Sequence, residues 1–123
     1  MNTLDATVAL TNGEPWADLG AAGRLRLGPA MVDPLVAGAT IVVGVRPESL
    51  VVGAGGIGSI EATVHTIEWL GHERHVICDV ADQKVVVRQP IDGAAPAIGE
   101  VVQLTTEPEH LHLFDAATTE RLN

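Results

Sequence analysis

Four short runs rich in Val, Ile and Thr dominate the sequence, and turn-forming residues separate them. The runs are residues 40–46 (TIVVGVR), 75–80 (HVICDV), 84–88 (KVVVR) and 100–106 (EVVQLTT). β-branched side chains favour strands, whereas Pro47, the ADQ connection at 81–83 and the Gly- and Pro-containing stretch at 90–99 favour turns. Short strands at such close spacing are typical of a small sandwich or barrel. The sequence therefore predicts an all-β fold.

Three weaker patterns add further strands. Leu4, Ala6, Val8 and Leu10 alternate with residues 5, 7 and 9. This alternation predicts a strand whose first set of side chains faces the core and whose second set faces water. The run RLRL at 24–27 predicts a brief strand with Arg24 and Arg26 outwards, after a loop that begins at Trp16. The run HLHLF at 110–114 predicts a last strand, with EPE before it.

The stretch VVGAGGIGS at 51–59 matches the G-x-G-x-x-G pattern of dinucleotide-binding turns through Gly53, Gly55 and Gly58. Asp79 follows 21 residues after Gly58, where a ribose-binding acid would lie. That site needs a helix directly after the glycines, because the helix N-terminus binds the pyrophosphate. Residues 59–70 fit helical and strand periodicity about equally, but their β-branched composition favours a strand. We therefore expect an inter-strand connection, with a dinucleotide-binding enzyme as the weaker alternative.

Composition excludes several function classes. A net charge of −9 in 123 residues opposes nucleic-acid binding, which depends on neutralising phosphates. Cys78 is the only cysteine, so no internal disulfide forms, and we expect it to be a buried apolar residue rather than a nucleophile. No basic residue precedes Arg24, which argues against a secretory signal. The apolar run 35–45 is shorter than the ~20 residues of a membrane helix.

Other catalytic or metal patterns are weak. His110 and His112, two apart on an expected strand, suggest a metal site that His72 and His75 could complete, but the spacing fits no known finger and solvent-facing histidines explain it better. Two serines lie outside any nucleophile elbow, and five scattered acids are better explained as solvated surface than as paired catalytic carboxylates. The serines are Ser49 and Ser59, and the acids are Glu48, Glu61, Glu68, Glu73 and Glu109. The single lysine, Lys84, lies in no Walker A motif, so this chain lacks that route to ATP hydrolysis.

Three ordered motifs carry a family resemblance: GVRPESL at 44–50, IEWLGHE at 67–73 and TEPEHLHLFDAATTERL at 106–122. With them the chain resembles the C-terminal regulatory domain of maltose-type (MalK-like) sugar-importer ATPases, over nearly all of residues 40–122. The matching positions are Arg46, Pro47, Glu48, Leu50, Glu68, Leu70, Gly71, Glu73, Pro108, His112, Leu113, Phe114, Asp115, Thr118, Arg121 and Leu122. Thr119 stands where the family usually has Gly, which puts the turn before Arg121 in doubt.

The resemblance implies an OB-type small β-barrel with appended TOBE strands. It implies one regulatory domain over 1–123, with a first OB-like half at 1–52 and a TOBE half at 59–123. The opening MNTLDATV is similar to the family's junction, which suggests a fragment lacking the N-terminal ATPase domain. We expect structural or interface roles for the motif positions: Pro47 ends a strand, Glu48 caps the next segment, and His112 to Phe114 anchor the last strand in the core.

The function that the resemblance implies is a non-catalytic regulatory and dimerisation domain of the ATP-binding subunit of an importer for sugars or related solutes. Its implied partners are its twin in a homodimer, its own ATPase domain, the permease subunits indirectly, and a regulatory protein; no nucleic acid is implied. The implied location is the cytoplasmic face of the membrane, and the implied cofactors, ATP and Mg²⁺, belong to the missing ATPase domain. The alternative is a module that senses small ligands or oxyanions, which one lysine and a net charge of −9 oppose.

Overall fold

The computed structural model describes residues 1–28, 35–53 and 58–123, which form an all-β fold. The strands are β1 (Asn2–Thr11), β2 (Glu14–Asp18), β3 (Gly23–Arg26), β4 (Thr40–Val45), β5 (Val51–Val52), β6 (Gly58–Leu70), β7 (Glu73–Val80), β8 (Gln83–Pro90), β9 (Val101–Thr105) and β10 (His112–Asp115). Three 3₁₀ turns accompany them, at Gly20–Ala22, Pro47–Ser49 and Pro108–His110. The prediction of an all-β fold is confirmed.

All described strand pairs are antiparallel and belong to one curled sheet. Its main order is β10-β4-β1-β2-β3-β6-β7-β8, and β9 pairs with both β5 and β6 beside this path. The sheet curls far enough for β8 to lie against β1, where the Asn2 side chain hydrogen-bonds the backbone of Val86. This curvature encloses the core and gives the OB-like half-barrel that the sequence resemblance implied.

Strand β6 shows whether the glycine-rich stretch at 51–59 is a dinucleotide-binding turn or an inter-strand connection. Residues 58–70 are extended and pair with β3, β7 and β9, and a register shift between Val64 and Thr66 accounts for the break in alternation. The dinucleotide alternative is therefore wrong, because no helix N-terminus follows the glycines. Gly55 lies outside the described residues. Gly58 has φ +102, and a Cβ there would lie 2.8 Å from both the Arg24 carbonyl oxygen and Cζ3 of Trp16, so glycine permits β3 and β6 to approach.

The core is aliphatic and follows the alternation of the strands. Its largest fully buried side chains are Leu4, Leu25, Ile41, Ile60, Leu104, Leu111, Leu113, Val8, Val43, Val45, Val64 and Val76. Cys78 is buried as predicted. Leu10 is exposed and was wrongly placed inside, because β1 at this point pairs only with β2, beyond its ladder with β4. The β7–β8 connection is also tighter than predicted, since Gln83 already belongs to β8.

Candidate functional site

The motif residues separate into two groups. The first and third motifs come together because β4 and β10 pair, with His112 opposite Gly44 and Phe114 opposite Val42. The second motif forms the β6–β7 hairpin and its tip. Nothing in the sequence indicated this division, since spacing along the chain does not report strand order.

The first motif turns the chain at the end of β4. Arg46 is extended and exposed, Pro47 opens the 3₁₀ turn, and the amide of Ser49 donates to the Arg46 carbonyl at 2.9 Å. Leu50 then enters the core. The structural role predicted for Pro47 agrees with this geometry. Glu48 is exposed, and its side chain makes no capping hydrogen bond with the described residues, so the capping prediction is wrong.

The third motif repeats this construction before β10. Pro108 opens a 3₁₀ turn that ends at His110, and Leu111 and Leu113 enter the core on either side of His112. His110 therefore lies before the strand rather than in it, and the predicted pair of histidines on one strand is wrong. Pro108 is responsible, because it starts a turn where the HLHLF pattern suggested extended chain.

Phe114 packs on the outer face of the sheet rather than in the core. It is half-buried, and its ring covers Gly44, where an added Cβ would lie 3.3 Å from Phe114 Cε2 and 2.7 Å from Met1 Cε. The prediction that Phe114 anchors β10 in the core is wrong, because alternation points Leu113 inwards instead. Leu113, which has no exposed surface, provides that anchor.

The residues after β10 fold back on it in a tight turn. Asp115 accepts hydrogen bonds from the amides of Ala117 and Thr118 at 2.9 Å, and these bonds hold the pKa of its carboxyl below the usual value. Thr119 adopts φ +61, the left-handed conformation for which the family's glycine is suited. The turn that was in doubt therefore forms with threonine in it, and it brings Arg121 opposite Phe114.

Arg121 and His112 are in direct contact. Arg121 Nη2 lies 2.7 Å from His112 Nδ1, and the guanidinium lies 5.9 Å from the centre of the Phe114 ring. Partial burial lowers the pKa of His112, and the positive charges of Arg121, Arg46 and His110 lower it further. Arg121 also lines a cleft of about 710 Å³, together with Pro108 and Leu111.

The second motif builds the β6–β7 hairpin. Glu68 and Leu70 are exposed, and Gly71 supplies φ +68 in the turn. Glu73 binds Arg88 through both carboxylate oxygens, at 2.6 and 3.1 Å, and lies 3.0 Å from His75 Nε2. The hydrogen bond from Arg88 is the main reason that the pKa of Glu73 is lowered, and His75 adds to it. Glu73 therefore ties β7 to β8.

Arg74 is a buried residue that the sequence analysis did not single out. Only 3% of it is exposed, and its guanidinium donates to Gln89 Oε1 and to the carbonyls of Ile91, Gly93 and Ala94 at 2.8–3.4 Å. Trp69, which is 60% exposed, lies over it at 5.6 Å. The signal that could have identified Arg74 was its position two residues before Val76, on the inward face of β7.

The metal and nucleophile hypotheses find no support among the described residues. Within that part of the chain no three His, Cys, Asp or Glu side chains are placed to hold a metal ion. Burial raises the pKa of the Cys78 thiol to about 11, and the Ser59 hydroxyl donates to Gln103. No helix in the described ranges is long and apolar enough to cross a membrane.

Comparison with known proteins gives one family and a consistent set of relatives. Residues 43–114 match the TOBE domain family. The chain is 34% identical over 90 residues to the sn-glycerol-3-phosphate import ATP-binding protein UgpC of Chromobacterium violaceum, covering 73% of this chain and 24% of that protein. It is 37% identical over 98 residues to UgpC of Cereibacter sphaeroides, covering 77% and 27%.

A third relative has a different substrate in its name. The sulfoquinovosyl glycerol transport ATP-binding protein SmoE of Agrobacterium fabrum is 32% identical over 84 residues, covering 68% of this chain and 23% of its own length. The chain thus spans about a quarter of the length of the curated relatives it matches.

Proposed function

Because the chain belongs to the TOBE domain family and is homologous to ATP-binding proteins of sugar importers, we propose that it is the regulatory domain of such a subunit. In this proposal it hydrolyses no ATP itself. The implied ATP and Mg²⁺ belong to an ATPase domain in the same full-length protein. The transported solute is a sugar or a related compound such as the glycerol derivatives in the relatives' names.

One observation carries the proposal. The similarity to importer ATP-binding proteins extends over 73% of this chain, and the three motifs lie at strand ends and in turns rather than only in the core. Leu50 and Leu113 fix the first and third motifs to the core, while Arg46, Glu48 and Leu70 are left exposed. Packing explains the buried motif positions, whereas the exposed ones are accessible for contacts with other subunits.

The partners are inferred from the same proposal. We propose that the domain contacts its twin in a homodimer, its own ATPase domain, and the permease subunits indirectly, with a regulatory protein as a further partner. Its place is then the cytoplasmic face of the membrane. The division into an OB-like half at 1–52 and a TOBE half at 59–123 stays a prediction.

A domain exchange tests the proposal. The segment of Chromobacterium violaceum UgpC that matches this chain is replaced by the chain, and uptake of sn-glycerol-3-phosphate is measured in cells that lack their own UgpC. We expect the hybrid to restore uptake, and a hybrid carrying Leu113→Asp to fail because a charge enters the core. Uptake no higher than with a UgpC truncated before the segment, at equal membrane abundance, would contradict the proposal.

Self-association is tested separately. Sedimentation equilibrium of the hybrid without ATP reports whether the domain holds two subunits together. A dimer that dissociates when the segment is removed supports the homodimer. A monomer at all concentrations argues against it without affecting the proposal of an importer subunit.

A further inference from the structure

Strand β6 has one long edge that the rest of the sheet covers only in part. On the side that faces β9, the ladder ends at Thr63. Val64 adds two further bonds, donating to the Glu100 carbonyl at 2.9 Å and accepting from the Gly99 amide at 2.7 Å. The neighbouring segment then forms a turn, in which the Glu100 amide bonds the Ala97 carbonyl at 3.0 Å. Beyond Val64, no backbone group in the described ranges bonds this side of β6.

The β6–β7 hairpin determines which backbone groups of this edge are free. Its turn has two residues, 71–72, so Leu70 and Glu73 are the pair that exchanges hydrogen bonds next to it. Every second residue of β6 bonds β7 in the same way, and the residues between them direct their N–H and C=O groups to the opposite side. Ile67 and Trp69 are those residues. Their two amides and two carbonyls have the spacing that one further strand requires.

Apolar side chains lie on the inner face beside these free groups. Ile67 packs partly against the core, whereas Trp69 is 60% exposed. The buried guanidinium of Arg74 lies 5.6 Å from the centre of the Trp69 ring, close enough for a cation–π contact. An indole that a buried neighbour already positions loses little conformational freedom on binding, and tryptophan is among the residues that dominate interface energies.

The outer face of the same edge carries an unpaired negative charge. Glu68 lies between Ile67 and Trp69 and is exposed. His75 is opposite Glu68 in the ladder, but its Nε2 lies 3.0 Å from the Oε2 atom of Glu73. Among the described residues, no Lys, Arg or His nitrogen lies at ion-pair distance from the Glu68 carboxylate. Since the net charge of the chain is also −9, the edge is complementary to a basic partner.

A second copy of this chain is a poor occupant of the edge. Two such edges related by a two-fold axis would place Ile67 of each opposite Trp69 of the other, with the two Glu68 side chains directly opposite one another. Residues in that position have Cβ atoms about 4.5–5.5 Å apart, and like charges there are destabilising. Glu68 is therefore the kind of charge that keeps an open strand edge from pairing with itself.

We propose that residues 66–70 are a docking edge for an extended segment of another protein, which carries Lys or Arg opposite Glu68 and an apolar residue on each side of it. The segment adds a strand to β6. Its backbone bonds to Ile67 and Trp69 supply affinity, and its alternating side chains supply specificity. The basic residue lies on the outer face and the two apolar residues lie on the inner face beside Trp69. This proposal requires only the sheet edge and does not rest on the importer role.

Three pentapeptides with capped ends test the docking edge by nuclear magnetic resonance of the isotope-labelled chain. Thr-Val-Lys-Val-Thr has the proposed pattern, Thr-Val-Glu-Val-Thr reverses its charge, and Thr-Pro-Lys-Pro-Thr lacks the two amides that would donate to Ile67 and Trp69. We expect the lysine peptide to shift the amide signals of Ile67 and Trp69 saturably and to slow their exchange with solvent. The glutamate peptide should bind about fivefold more weakly, and the proline peptide should leave the exchange unchanged.

Glu68→Lys tests the charge at an exposed position. It should reverse the preference, so that the glutamate peptide binds about fivefold more tightly than the lysine peptide. Glu61→Lys is the matched control, because Glu61 is exposed on the same strand but lies opposite Gln103 within the β6–β9 ladder. It should leave the preference for the lysine peptide in place.

The docking edge is refuted if millimolar lysine peptide neither shifts nor protects the amides of Ile67 and Trp69, if the proline peptide protects them equally, or if Glu68→Lys still prefers lysine. Protection of both amides without peptide, with self-association that Glu68→Gln strengthens, would make a second copy the occupant and would also overturn the proposal. Failure of the domain exchange with this protection intact would refute the importer role and leave the docking edge standing. The two proposals therefore fail separately.

Discussion

The side chain of Asn2 forms two hydrogen bonds with the backbone of one residue on another strand, Val86. Asn2 Nδ2 donates to the Val86 carbonyl at 2.8 Å, and Oδ1 accepts from the Val86 amide at 2.9 Å. An amide side chain thus pairs with β8 where the backbone ladder of β1 does not. The pair closes the seam between the two strands, and Asn2 is buried there.

Removing this amide should destabilise the fold. We expect Asn2→Ala to lower the free energy of unfolding by about 1–3 kcal/mol, because it leaves a partly buried N–H and C=O of Val86 without partners. Asn2→Asp should cost at least as much, since it places an oxygen against the Val86 carbonyl. Urea unfolding followed by tryptophan fluorescence measures both, and a loss no larger than that of the exposed neighbour variant Thr3→Ala would refute the role.

Thr119→Gly should stabilise the protein. Threonine has φ +61 here, a conformation that costs an L-residue about 1–2 kcal/mol. The greater freedom of glycine in the unfolded chain offsets about 0.4–1 kcal/mol of the gain from removing this strain. The net gain should be about 0.5–1 kcal/mol, seen as a higher melting temperature. Thr118→Gly, in the same turn, loses a hydroxyl that accepts from Glu120 and should destabilise; a gain in both variants would contradict the conformational explanation.

Arg74 should control the order of residues 91–94. Arg74→Lys keeps the charge but not the planar set of donors, so the carbonyls of Ile91, Gly93 and Ala94 lose partners. We expect a loss of about 2–4 kcal/mol in stability and faster amide exchange in this segment. Arg88→Lys is the control, because its exposed pair with Glu73 contributes only about 0–1 kcal/mol. Unchanged exchange at 91–94 in Arg74→Lys would show that other contacts hold the segment.

Cys78 should be unreactive in the folded protein. Burial, and to a smaller extent the charge of Asp79, raise the pKa of its thiol to about 11, so the nucleophilic thiolate is scarce at neutral pH. Alkylation by iodoacetamide at pH 8 should therefore be slow until denaturant is added. Alkylation at the rate of a small thiol without denaturant would contradict the buried placement.

His112 should titrate below 6.5, its ordinary value, because burial, Arg121, Arg46 and His110 all disfavour the charged ring. The folded pKa lies below the unfolded one, so the contribution to stability is complete above pH 6.5. It declines as the pH falls through that value, until the folded ring is also protonated. Nuclear magnetic resonance titration should show a low midpoint that rises in Arg46→Gln and not in Lys84→Gln. A titration midpoint of His112 at or above the ordinary value would contradict the claim that burial and the neighbouring positive charges lower its pKa.

The strands could be predicted because their signals are local. Alternation and β-branched composition depend on neighbouring residues alone, and they identified β6 despite its competing helical periodicity. The wrong predictions fall where the alternation of apolar residues extends beyond the strand pairing seen in the structure. Leu10 keeps the alternation of β1 but lies beyond the ladder with β4, and His110 precedes the strand because Pro108 starts a turn.

The candidate site could be predicted only in part. The motif positions were found from the resemblance, yet the effect of the Arg46 charge on the pKa of His112, which adds to burial and to Arg121, depends on the pairing of β4 with β10, which are distant in the chain. Net charge is similarly uninformative about local charge, because composition does not report which arginines are already paired with carboxylates.

Strand β6 hydrogen-bonds to three neighbours along its length: to β3 and β9 near its start, and to β7 from Thr63 to Leu70 with one register shift between Val64 and Thr66. A load applied at the exposed hairpin tip around Trp69 therefore reaches β3 and β9 without passing through a loop. The tip and the far side of the sheet should move as one stiff unit, so a protein that pushes on the tip would tilt the whole domain rather than bend it.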